Sequence, residues 1–296
     1  MSVYRLLDCG KLSDSGNPLK LEILGKDDNG KDIKVIRPCP QAMWDVEDPK
    51  LWLNPDSEFV IGGGEKGQWK NLKPDPELKR KHQGQGIPDS WEMESPDGIK
   101  WIIEPNEHGN IGVFTEHWTY VAEIVKKFQK NARVLNLFTY SGSNAIWLAK
   151  QGYRITAVDS SKAAMDRYTA NLDNNEISRN GHKLVLEDVY KFIAREVRRE
   201  AQYDVIMIDA PSYGRGTKGE VFNIEDDFTK LLKASSKLLS KNGLMIITLH
   251  SPRFTPAVLK IITQKLFPKR NVETSEIINM CESGIGLPSG FLVTVS

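Results

Sequence analysis

The stretch Val134-Leu135-Asn136-Leu137-Phe138-Thr139-Tyr140-Ser141-Gly142 limits what this chain can fold into more than any other. A short apolar run enters a turn containing Gly142, and a helix is expected to follow. About twenty residues on, a second apolar run ends at Val158-Asp159. An α/β sheet that binds a nucleoside opens in this way. The turn lets backbone approach the ligand, and the acid after the second strand accepts hydrogen bonds from ribose hydroxyls. A dinucleotide pyrophosphate needs small residues in such a turn, and here Phe138 and Tyr140 stand in it. A nicotinamide cofactor is therefore disfavoured.

From Trp118 the pattern is regular. It predicts helix 118–129, strand 132–138, helix 142–150, strand 154–158, helix 161–173, strand 183–187, helix 189–200 and strand 203–208. Helix 225–240, strand 243–249, helix 256–266 and two strands near 272–279 and 290–295 complete it. Strands alternating with helices predict a Rossmann-like, seven-stranded sheet with helices on both faces. The region before Gly109 differs. Nine of the fifteen prolines lie between Pro38 and Pro105, and five of the seven tryptophans precede Ile102. It reads as a small β-rich, Trp-packed domain over 1–108, ahead of a catalytic domain over 109–296. Strands are expected at Tyr4–Leu7, Leu19–Leu24, Ile33–Ile36 and Lys100–Glu104, a flexible turn at Gly62–Gly67 and an exposed loop at Lys73–Gln85.

Residues 1–110 carry 15 Lys/Arg against 20 Asp/Glu, a net of −5, and residues 111–296 carry 25 against 19, a net of +6. A basic second domain suits a polyanionic partner. No apolar run approaches the roughly 20 residues that cross a bilayer. With no signal-like start, the expected location is the cytoplasm and no membrane partner is expected. Cys9, Cys39 and Cys281 lack metal-ligand spacing, so free buried thiols and no metal are expected.

Three carboxylates fall at expected strand ends. Asp159, with Ser160 beside it, is placed for ribose, and Ser160 and Ser161 also make a helix cap there. Asp188 follows the third strand, where an acid in such a nucleoside-binding sheet reaches an adenine amino group and Val189 offers a backbone N–H to the ring; a helix N-cap alone would also be sensible, and adenine binding is favoured. Asp209-Ala210-Pro211-Ser212-Tyr213 closes the fourth strand with an acid, a turn and an aromatic face. His250 ends the next strand as a base, a substrate contact or a locally satisfied histidine. Lys230, Lys233, Lys237 and Lys241 recur at helical spacing, and a solvated helix face is the expectation.

Taken together, Asn136-Leu-Phe-x-Tyr-Ser-Gly142 resembles the first motif of class I S-adenosylmethionine (SAM)-dependent methyltransferases, in the group that contains the bacterial large-subunit ribosomal RNA methyltransferases. Gly112-Val-Phe114-Thr-Glu116-His117-Trp118 is similar to that group's Gly-x-Phe-x-Asp/Glu-Gln turn. The resemblance covers about residues 97–296, and Arg37–Trp44 looks like the leader of uncharacterised members. It implies that SAM lies along Asn136, Phe138, Thr139, Tyr140, Ser141 and Gly142, held by Asp159, Ser160, Asp188, Val189 and Asp209. Phe114 and Glu116 would close the pocket. It also implies an RNA substrate, ribosomal RNA favoured, methylated at a base nitrogen. There Asp209 grips the nitrogen, Pro211 keeps the turn and Tyr213 stacks on the base. SAM has no phosphate, so it tolerates Phe138 and Tyr140. Ala210 replaces the first proline of the related Asp/Asn-Pro-Pro-Tyr/Phe motif, and Gly214–Gly219 continues as a basic loop suited to phosphate. The last two strands match the reversed hairpin of such enzymes.

Enzymes that methylate carbon 5 of pyrimidines attack with a cysteine thiolate. Here Ser212 and Thr248-Leu249-His250-Ser251 hold those places, which disfavours that route. Other readings stay open: a methyltransferase of a small molecule or protein side chain, fitting the near-neutral total charge of +1; a nicotinamide-dependent oxidoreductase, which Asp159 alone fits; and a non-catalytic binding protein.

Overall fold

A computed structural model describes residues 3–12, 16–27, 29–61, 66–70, 88–215 and 221–296. The expected loop Lys73–Gln85 lies outside the described residues, as do 62–65 of the Gly62–Gly67 turn and 216–219 of the basic loop.

Two compact units form: 1–114 with 278–288, and 115–277 with 289–296. The division falls later than the expected 108/109 because Glu104 N donates to Ile111 O and Asn106 N to Asn110 O, which turns 109–114 back on the first unit. Residues 278–288 join it because Glu282 N and Ser283 N donate to the Leu6 and Leu7 carbonyls.

In the first unit, β1 (Arg5–Lys11), β2 (Pro18–Lys26), β3 (Asp32–Pro38), β4 (Ser57–Ile61) and β5 (Gly67–Lys70) form one sheet in chain order. A hairpin of β6 (Trp91–Glu94) and β7 (Lys100–Ile103) accompanies it. Strands β4, β5 and β6 were not expected, since Ser57–Ile61, Gly67–Lys70 and Trp91–Glu94 are only four or five residues long and carry few apolar residues. The tryptophans pack as anticipated, each with its indole N–H satisfied: Trp44 on Cys9 O, Trp52 on Asp8, Trp69 on Asn106 O, Trp91 on Leu24 O and Trp101 on Ser95.

The second unit runs α1 (Val121–Val125), β8 (Arg133–Leu137), α2 (Ile146–Lys150), β9 (Arg154–Asp159), α3 (Lys162–Asn174), β10 (Lys183–Leu186), α4 (Val189–Arg198) and β11 (Tyr203–Asp209). A short pair, β12 (Tyr213–Arg215) and β13 (Val221–Asn223), leads to α5 (Ile224–Ser235), β14 (Leu239–Leu249), α6 (Pro256–Leu266), β15 (Val272–Met280) and β16 (Gly286–Val295). The sheet has seven strands, as expected, in the order β10-β9-β8-β11-β14-β16-β15. The first five are parallel and β16 runs against β14. Leu135, Leu137, Ile206, Ile208, Met245 and Ile247 pack on Phe192 of α4 and on Phe228 and Leu231 of α5. The alternate residues Val134, Val205, Met207 and Ile246 are as fully buried. A strand covered on both faces needs such unbroken apolar runs.

Three helices differ from expectation. Instead of helix 118–129, a 3-10 turn (Thr115–Thr119) precedes the single turn α1. The Tyr153 hydroxyl lies 3.2 Å from Val125 O and 3.0 Å from Phe128 O, occupying carbonyls that a continuing helix would use. Helix 142–150 starts only at Ile146, because Gly142 sits at φ +84°. Helix 225–240 stops at Ser235 and β14 begins at Leu239, so Lys237 and Lys241 leave the helix and the four-lysine face does not exist. Lys230 instead lies over the Tyr190 ring.

Candidate functional site

The chain builds β8, β9 and β10 outward in one direction, then returns to place β11 on the other side of β8. Such a reversal opens a crevice at the carboxyl ends of the strands, where open α/β sheets bind ligands. Asp159, Asp188, Asp209, Thr248 and His250 all stand at those ends.

The turn after β8 is strained. Phe138 at φ +58° and Tyr140 at +49° are left-handed without being glycine, at about 1–3 kcal/mol each. Asp159 holds it in place: its Oδ2 accepts Tyr140 N at 2.9 Å and its Oδ1 accepts Ser161 N at 2.8 Å. A carboxylate offers about four acceptor sites, and these two contacts use one on each oxygen. Arg167 donates to the Tyr140 hydroxyl at 2.7 Å and fixes that ring. Gly142 is needed for a reason beyond ligand approach. A Cβ there would lie 2.3 Å from Cδ2 of the buried Tyr168.

The expected cofactor residues separate into two sets. Asn136, Thr139 and Ser141 are buried and shape the turn. The Asn136 amide donates to Asn144, Thr139 stitches Asn136 O to Val158, and Ser141 Oγ pairs with Ser143. Phe138, Tyr140, Asp159, Ser160 and Asp188 keep exposed surface. Asp188 caps α4 through Lys191 N on Oδ1, with Val189 as the first helical residue. Phe114 ends the first unit.

Asp209 lies in a polar cluster. His117 Nε2–H donates to its Oδ2 at 2.9 Å, and the Thr248 hydroxyl donates to its Oδ1 at 2.5 Å. Register explains the second contact, since Asp209 and Thr248 are partners across β11 and β14. His117 Nδ1 meets the Tyr120 hydroxyl at 2.6 Å. His250 Nε2 stands 3.5 Å from Glu116 Oε1 and 3.9 Å from Asp209 Oδ1. Its ring fits only because residue 290 is glycine, whose Cβ would lie 2.9 Å from it.

Burial opposes the Asp209 charge, yet the charge and hydrogen bond of His117, His250 and the Thr248 hydroxyl outweigh it and bring its pKa to about 2. Burial likewise disfavours charged His117, but Asp209 and then Glu116 raise its pKa above the ordinary histidine value. Burial, with the Asp209 charge adding to it, pushes the Tyr120 phenol well above its usual range. Beyond the cluster, Pro211 is exposed and Tyr213 is 54% exposed on β12. Sequence reasoning missed His117, Tyr120 and Thr248. The signal for His117 was its position in the Glu116-His117 turn, where the resembled motif has glutamine.

The sequence profile of the family described as "Conserved hypothetical protein 95" matches residues 120–274, just over half of the chain. The chain belongs to that family. The family segment carries Asp159, Asp188, Asp209 and Thr248, while Glu116 and His117 precede it. Among solved structures, the family member is similar to a SAM-dependent methyltransferase from Agrobacterium tumefaciens. The TM-score is 0.81 at 25% identity, covering 100% of this chain and 91% of that one. Its fold is that of the SAM-dependent methyltransferases. Among curated proteins, it is 28% identical over 151 residues to ribosomal RNA large subunit methyltransferase K of Neisseria meningitidis, covering 50% of this chain and 42% of the relative. It is 30% identical over 160 residues to ribosomal RNA large subunit methyltransferase K/L of Shewanella sp. strain MR-4, covering 53% and 22%. The chain thus matches less than half the length of these curated relatives.

Proposed function

We propose that this chain is a SAM-dependent methyltransferase acting on RNA, with a base nitrogen as methyl acceptor. The observation that carries the reading is the strained turn clamped over Asp159, whose carboxylate keeps two acceptor sites free beside the crevice. Asp159 accepts the ribose hydroxyls, and Asp188, whose Oδ1 accepts Lys191 N, accepts from the adenine amino group through Oδ2. When bound, SAM supplies a methyl group on an already activated sulfonium, so the protein's task is to position and to screen charge. Asp209 keeps one acceptor site on each oxygen for a substrate N–H, and the exposed Tyr213 ring gives a base a stacking face. An RNA substrate is supported by the net +6 of residues 111–296 and by the relatives' names.

The test incubates the protein with methyl-labelled SAM and either total RNA or RNA-free lysate, followed by mass spectrometry of nucleosides. Label in an N-methylated nucleoside supports the proposal. Label confined to protein or small metabolites refutes the RNA substrate, and a carbon- or oxygen-methylated nucleoside refutes the nitrogen acceptor.

A further inference from the structure

Resting on the methyltransferase reading above, we propose that His117 is a positioning residue. Its charged imidazolium holds Asp209 in the orientation that methyl transfer needs, so activity falls on the alkaline side as His117 loses its proton.

The geometry separates His117 from the substrate. Its side chain is 1% exposed and both ring nitrogens are engaged, Nε2 by Asp209 and Nδ1 by Tyr120. It has no free atom to offer a ligand, so it acts through its partner. Asp209 is the partner with an outlet: 16% of its side chain remains exposed at the carboxyl end of β11. Two donors from different elements pin its two oxygens, His117 from the segment before α1 and Thr248 from β14. Thr248 fixes position without charge. Among the described residues His117 supplies the close counter-charge, at 2.9 Å, and His250 stands farther off at 3.9 Å and a third exposed.

The groups facing the pair set the direction of the pH effect. Asp209 and Glu116 both favour the imidazolium, burial opposes it, and the Tyr120 phenol stays neutral. The charged pair is therefore complete below the His117 pKa, which lies above the ordinary histidine value. It is lost as pH rises through that pKa. Deprotonation leaves a buried carboxylate without its close counter-charge and with Glu116 as a like charge nearby. Such a state is costly and is relieved by water entry or by movement of the carboxylate.

Glutamine at 117 can still donate an N–H to Asp209 but cannot titrate, and alanine does neither. The experiment measures the initial rate of label transfer from SAM to total RNA between pH 6 and 10 for wild type, His117→Gln and His117→Ala. Binding of S-adenosylhomocysteine is measured alongside, and the His117 ring is titrated by NMR in wild type and Asp209→Asn. The expected result is an alkaline limb in wild type, falling about tenfold per pH unit. His117→Gln, which keeps the N–H and not the charge, should already be slow at neutral pH, near the wild-type rate above the His117 pKa, and should lack the limb. His117→Ala should be slow throughout while S-adenosylhomocysteine still binds. Asp209→Asn should lower the His117 pKa. An unchanged limb in His117→Gln, or a His117 ring that titrates identically in Asp209→Asn, overturns the proposal. A wild-type protein that labels no RNA at any pH refutes the substrate reading instead, and the ring titration still decides the pairing.

Discussion

On the function proposed above, Asp159→Ala should damage stability and cofactor binding together, because the carboxylate that clamps the turn is also the one assigned to the ribose. In the structure each oxygen accepts a backbone N–H, from Tyr140 at 2.9 Å and Ser161 at 2.8 Å. Hydrogen bonds to a charged acceptor contribute about 1.5–3 kcal/mol each. Asp159 is partly exposed, which favours the low end, so the pair contributes about 3 kcal/mol. With a urea dependence of about 1–3 kcal/mol per molar, the unfolding midpoint should fall by about 1–3 M. The bond to Tyr140 N also anchors a left-handed residue, so the turn itself should loosen. Losing the acceptor for two ribose hydroxyls should cost about 2–4 kcal/mol of binding, roughly 30- to 700-fold in S-adenosylhomocysteine affinity by calorimetry. Asp159→Asn keeps one accepting oxygen but turns an amide donor toward the other N–H, so it should fall between alanine and wild type. An alanine variant that unfolds at the wild-type midpoint refutes the clamp. One that folds and binds with wild-type affinity refutes the ribose contact.

Gly142→Ala should destabilise by about 2–5 kcal/mol in urea unfolding, the sum of left-handed strain and overpacking against Tyr168; a wild-type midpoint would show that Tyr168 yields. Asp209→Ala should lower methyl transfer by orders of magnitude while most S-adenosylhomocysteine affinity survives, and Tyr213→Ala should lose a stacking face worth about 1–3 kcal/mol; normal turnover of Asp209→Ala removes it from the chemistry. In the first unit, Glu22 is fully buried and paired with Arg37 at 2.6 Å, so Arg37→Met should cost about 3–5 kcal/mol. Burial works against the Glu22 charge, but Arg37 and Lys20 prevail and lower its pKa from 4.5 to about 2. The stability it contributes is present above pH 4.5 and is lost as pH falls through 2, a slope that comparing urea midpoints at pH 5 and pH 3 should show in wild type and not in Arg37→Met.

The order of the second unit was legible because its strands are buried on both faces and read as continuous apolar runs between helices. Val134–Leu137 and Val205–Ile208 carry no competing pattern. The strands of the first unit were harder. In β5, Gly67-Gln68-Trp69-Lys70 has one buried large side chain, and β4 ends on the exposed Val60 and Ile61. Neither alternates clearly enough to be distinguished from a loop. Helix ends failed where something distant decided them. The Tyr153 hydroxyl ends α1 and the backbone of Gly142 delays α2, and neither effect belongs to the local periodicity.

The candidate site shows the same division between residue and relationship. Asp209 was legible as an acid at a strand end, and Thr248 was noted only as a residue that is not cysteine. What joins them is parallel register: once Asp209 pairs with Thr248 across β11 and β14, their side chains leave the sheet on the same side, and the hydroxyl reaches the carboxylate. His117 arrives from 92 residues earlier in the chain. A carboxylate read in isolation looks free to grip a substrate with all of its lone pairs. In the folded unit half of that capacity is already committed to Thr248 and His117, and the remainder is aimed by those commitments. The low Asp209 pKa, about 2, follows from the same arrangement and makes it a poor proton acceptor at neutral pH. On the function proposed above, Asp209 orients an N–H donor and does not take up its proton.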